Sequence, residues 1–82
     1  MAAARLTVTA ETARALLTDW ARLNEALMGM TLADVQLLLK LEIGGRRRTN
    51  FLLRLYGRYH RLRADVERAA LINEGVLPWK VP

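Results

Sequence analysis

The sequence predicts an all-α fold: a small three-helix bundle with a long basic C-terminal helix and a short extended tail. Three observations carry this. Apolar residues recur at three- and four-residue steps in three segments, glycines punctuate the chain between those segments, and β-branched residues are few. With 82 residues, 52% of them apolar and 26% charged, residues 1–82 suit a single folded domain with one modest core.

The first helix is expected over about 10–28. Thr9 is its N-cap, Glu11 sits in its first turn, and Ala13, Leu16, Leu17, Trp20, Leu23 and Leu27 form an apolar stripe that Gly29 ends. Trp20 reads as core. The second helix, about 32–43, opens at Thr31, whose hydroxyl caps the amides around Asp34. Gly44 and Gly45 supply a left-handed exit. Its apolar residues surround most of the axis, so it should be the central element. A rival reading takes Val35, Leu37, Leu39, Leu41 and Ile43 as strand alternation with Gly44-Gly45 as a hairpin turn. Leu, Lys and Glu favour the helix.

The third helix, about 50–73, is the longest. Leu52, Leu55, Tyr59, Leu62, Val66, Ala69 and Asn73 alternate three- and four-residue steps, a heptad seam that must face something apolar. Pro78 bars further helix, which leaves 76–82 as a packed arm or a mobile tail.

Charge is regional. Residues 1–45 carry four basic and five acidic side chains, net −1; residues 46–82 carry nine and three, net +6. Seven of the eleven arginines lie between Arg46 and Arg63 with no acidic residue among them. At 100° per residue, Arg47, Arg54, Arg61 and Arg68 drift by only about 60°, with Arg58 on the same side. Arg46, Arg47 and Arg48 also precede a helix N-terminus, where free amides favour an anion. Such a stripe is either the solvated side of an amphipathic helix or a surface for polyanions, and the lack of interleaved acidic partners favours the second.

Tyr56 flanks the seam and is open to a partner, whereas Tyr59 sits within it. Trp79 is either a partner anchor or a lid on the domain's own core. Leu53, Gly57, His60, Ala64 and Leu71 form a narrow line on the third helix. Either a second copy of the chain approaches there or the second helix covers it.

Catalysis is not expected. There is one histidine, no cysteine and no serine, the acidic residues are dispersed, and no glycine-rich phosphate loop exists. Neither a metal nor a cofactor is anticipated. The absence of cysteine gives no reason to expect an oxidising compartment, and no segment reads as a secretion signal or a membrane span, so the expected location is cytoplasmic.

The stretch Leu38-Leu39-Lys40-Leu41-Glu42, then Gly44-Gly45-Arg46-Arg47-Arg48, then Phe51-Leu52-Leu53-Arg54-Leu55-Tyr56 with Arg58, Leu62 and Arg63, resembles short arginine-rich helical proteins encoded by bacteriophages and prophages. The resemblance spans about half the chain and carries over no site residue. It implies a context of DNA binding, binding to host machinery or inhibition of a host defence, in the bacterial host cytoplasm. A helix-turn-helix fits poorly, because Arg46 to Arg48 stand where a tight, sparsely charged turn belongs.

Two functions follow. One is a dimeric nucleic-acid-binding protein, a phage-type regulator, contacting phosphates through Arg46, Arg47, Arg48, Arg54, Arg58 and Arg61. The alternative is a modulator or inhibitor of an acidic host protein, docking through the basic helix with Tyr56 or Trp79 as anchor. A third reading lays that helix on an anionic membrane, but its broad apolar face looks committed to the bundle.

Overall fold

A computed structural model describes residues 5–75. Among them the chain forms four helices and no strand: α1 (Ala10–Leu16), α2 (Trp20–Leu27), α3 (Leu32–Gly44) and α4 (Thr49–Glu74). The all-α class holds, and the alternating stretch from Val35 to Ile43 is helical. The tail expected over 76–82, with Trp79, lies outside the described residues.

The expected count of three helices is corrected to four. What reads as one helix over about 10–28 breaks at Leu17, Thr18 and Asp19. The Thr18 hydroxyl donates to the Ala15 carbonyl at 2.6 Å. Asp19 takes extended backbone (φ −138°, ψ 109°), and its carboxylate accepts from the Arg22 amide at 3.2 Å, starting α2 afresh. Short polar side chains compete with the helical ladder in this way, and the apolar periodicity that runs through them conceals it. The break lets Ala13 and Leu17 on one side, and Leu23 and Leu27 on the other, enter the same core. Trp20, expected inside, is 41% exposed and lies edge-on to Phe51, with ring centroids 5.0 Å apart.

Both threonine caps form as the sequence predicts. Thr9 Oγ1 accepts from the Thr12 amide at 3.1 Å, and Thr31 Oγ1 accepts from the Asp34 amide at 3.2 Å. Asp34 returns the bond by accepting from the Thr31 amide at 3.0 Å, which completes a capping box. Fully buried Asp34 also accepts from the Thr7 amide (2.7 Å), the Thr7 hydroxyl and the Val8 amide (3.1 Å), and so ties the segment before α1 to the start of α3. Burial pushes its carboxyl up, but the bonds from Thr7, Thr31 and Val8 outweigh that and lower its pKa from 3.8 to about 2.

Helix α3 is the central element, packed on both α1 and α4, with Val35 and Leu38 fully buried. Its exit differs from expectation. Gly44 is the last helical residue, Gly45 has φ −114°, and the left-handed residue is Arg47 at φ 51°. Gly45 serves by its lack of a side chain: an added Cβ would stand 2.9 Å from the Leu41 carbonyl oxygen. Arg47 is held by its amide to the Glu42 carbonyl at 2.9 Å and by its Nε to the Ile43 carbonyl at 2.7 Å. These bonds satisfy helix-end carbonyls and offset the cost of positive φ.

Helix α4 has 26 residues, about 39 Å of rise, and runs along the 41 Å long dimension of the molecule. Its expected seam faces inward, with the centre displaced toward Phe51. Phe51, Leu55 and Ala70 are buried, Leu52, Tyr59, Leu62, Val66 and Ala69 are half-buried, and Asn73 is exposed. Gly75, at φ 72°, ends the helix by donating to the Leu71 carbonyl at 3.1 Å. Among the described residues no helix is long and apolar enough to cross a membrane.

Candidate functional site

The six nominated arginines divide into two groups. Arg48 meets Glu42, which is 2% exposed: Nη2 donates to Oε1 at 2.8 Å, while Nε and the backbone amide donate to Oε2 at 3.0 and 2.8 Å. Nη2 also reaches the Leu17 carbonyl at 2.7 Å, and the guanidinium lies 3.5 Å from the Phe51 ring centroid. One side chain thus joins α3, the end of α1 and α4. The hydrogen bonds from Arg48 hold the Glu42 carboxyl below its usual value against the opposing effect of burial.

Arg54 and Arg58 point toward α2. Arg54 Nε donates to Asn24 Oδ1 at 2.6 Å, and Arg58 Nη2 donates to the Met28 carbonyl at 3.1 Å, while its buried Nε has no hydrogen-bond partner among the described residues. Both are half-buried. Arg46, Arg47 and Arg61 are exposed, and Arg61 has an exposed carboxylate neighbour, Asp65, at 3.5 Å. Arg63 pairs with Glu67 at 2.8 Å. Hence, among the described residues, three of the seven arginines between Arg46 and Arg63 have carboxylate partners: Arg48, Arg61 and Arg63. The acidic groups lie six residues before the stripe's third member and four residues after its last two, outside the span in which the sequence shows none.

The narrow line on α4 is open. Leu53 is 66% exposed and Leu71 48%, and Gly57, His60 and Ala64 between them are exposed as well. Covering by the second predicted helix is therefore corrected: that segment, α3, lies against the opposite, Phe51–Leu55 side of α4. Tyr56, 51% exposed, borders the line and meets His60 edge-on at 4.3 Å between centroids, with Tyr59 stacked behind at 6.3 Å. Leu53, Tyr56 and His60 thus make an apolar and aromatic ridge, edged by Arg61 and Arg68.

Sequence reading missed Asn24 and Glu42 as arginine partners. Glu42 left a signal, an acidic residue in a leucine-rich helix six residues before Arg48; Asn24 left none. Trp79 lies outside the described residues. Comparison of the chain with protein-family models, with curated proteins and with solved structures finds no match.

Proposed function

We propose that this protein is a protein-binding module that docks through the outer face of α4. The exposed ridge Leu53–Tyr56–His60, continued by Gly57, Ala64 and Leu71 at helical spacing, carries the reading. A soluble domain gains nothing by leaving such a line open, and a partner helix laid along it would bury it. Gly57 and Ala64 permit close approach of a helix axis, about 8 Å. Exposed Arg61 and Arg68 stand seven residues apart along one edge, so the partner's complementary edge is acidic.

Self-association on the same line is less well served. An antiparallel pair centred on position 61 would set Arg61 against its own symmetry mate and Arg54 against Arg68. Like charges at those flanking positions oppose pairing.

The test is retrieval from nuclease-treated extract with wild type, Leu53→Glu and, as a surface control, Gln36→Glu. One acidic partner should be retained by wild type and by the control and lost with Leu53→Glu. Retention by Leu53→Glu would contradict the reading, as would a second copy of the chain as the sole partner.

Nucleic-acid binding is a second reading, supported by exposed Arg46, Arg47 and Arg61 within a region of net charge +6. With three exposed arginines in place of six, the log–log salt slope on duplex DNA should be about −3 and not about −5. Arg46→Glu with Arg61→Glu is the reversal to use, because Arg54 and Arg58 tether α2 and Arg47 holds the α3–α4 turn through the Ile43 carbonyl. Binding unchanged by that reversal would exclude these contacts.

A further inference from the structure

A groove of about 270 Å³ lies between α1 and the turn joining α3 to α4, and shares no residue with the outer face of α4. Its lining brings Arg14, distant in sequence, to Arg46 and Arg48, with Thr18 beside them and Leu17 and Leu41 as apolar surface. Glu42 also borders it, but both carboxylate oxygens are occupied by Arg48. Arg48 holds that carboxylate by hydrogen bonds and Arg46 acts on it through charge alone, so three arginines and one carboxylate leave the groove a net charge of +2. Arg14 and Arg46 are exposed, and neither has a hydrogen bond or ion pair among the described residues.

We infer that this groove binds a small phosphate monoester, its phosphate on the Arg14 and Arg46 guanidiniums and its apolar body on Leu17 and Leu41. A net charge of +2 matches the dianion better than a carboxylate, and guanidinium forks match phosphate oxygens in pairs. The volume lies below the usual range for larger ligands, which suits one phosphate and a short body. Arg48, fixed by Glu42 and the Leu17 carbonyl, forms a preorganised wall that need not move on binding.

The test is titration of the folded chain with phenyl phosphate, inorganic phosphate and phenol, followed by amide NMR shifts. Phenyl phosphate should shift Arg14, Thr18, Gly45 and Arg46 saturably below about 10 mM, inorganic phosphate should shift the same residues more weakly, and phenol should not. Arg14→Gln with Arg46→Gln, which removes no hydrogen bond or ion pair among the described residues, should weaken binding about tenfold or more. The inference is overturned if phenyl phosphate gives no saturable shift, if the double variant binds as wild type, or if the shifts fall elsewhere. None of these outcomes bears on docking at α4.

Discussion

Glu42 and Arg48 close on one another completely. Both carboxylate oxygens accept from the Arg48 guanidinium, at 2.8 and 3.0 Å, and one accepts in addition from its backbone amide at 2.8 Å. The pair fixes the α3–α4 turn, and through the Leu17 carbonyl it also fixes the end of α1.

Removing one partner should therefore be costly. Arg48→Ala leaves a buried carboxylate uncompensated and loses the Phe51 stack. With the Arg48 side chain 25% exposed, solvent softens the loss to about 2–3 kcal/mol. That is a large share of a small domain's stability. Urea unfolding should show a lower midpoint with an unchanged slope.

Arg54 and Arg61 should behave differently despite their shared stripe. Arg54→Ala breaks the bond to Asn24 and should cost about 1 kcal/mol. Arg61→Ala removes only an exposed pair with Asp65 and should stay within about 0.5 kcal/mol of wild type. Thermal unfolding of the two variants compares them directly.

Acid should unfold the protein in a defined window. The pKa of Asp34 is lowered from 3.8 to about 2 in the folded state, so its contribution, about 2 kcal/mol, is whole above the unfolded value and is lost as pH falls through the folded one. Glu42, lowered from 4.5 by Arg48, acts in the same direction. Asp34→Asn should lower stability at pH 7 and flatten the fall between about pH 4 and pH 2, measured by urea unfolding at each pH.

Gly45 and Gly57 should respond oppositely to alanine. At Gly45 the new Cβ would stand 2.9 Å from the Leu41 carbonyl, a backbone atom that cannot yield, and the cost should be about 1–2 kcal/mol. At Gly57, inside α4 with nothing within 4 Å, alanine should stabilise by about 0.5–1 kcal/mol. The same Gly57→Ala should weaken partner docking by holding the incoming helix away. Calorimetry and a binding assay on one sample would separate the two effects.

Much of the architecture was legible in the sequence because local chemistry dictates it. Thr9 and Thr31 cap as their hydroxyls allow, and α4 starts within a residue of its expected position. The Thr18–Asp19 break was not, since the leucine periodicity passes through it. The arginine stripe was visible as a spacing on one helix. Its division into arginines that bind α2 and α3 and arginines that face solvent depends on Asn24, Met28 and Glu42, which only tertiary packing brings near. The open line on α4 was visible too, but whether α3 covered it was a question of which face of α4 the core takes.

Site-specific photo-crosslinking tests the docking surface most directly. A photoreactive residue would be placed in turn at position 53, on the α4 ridge, at position 46, among the exposed arginines, and at position 36, on the exposed side of α3. The account predicts a single protein adduct from position 53 and none of comparable yield from position 36. Adducts from position 46 to nucleic acid, with position 53 unreactive, would contradict it.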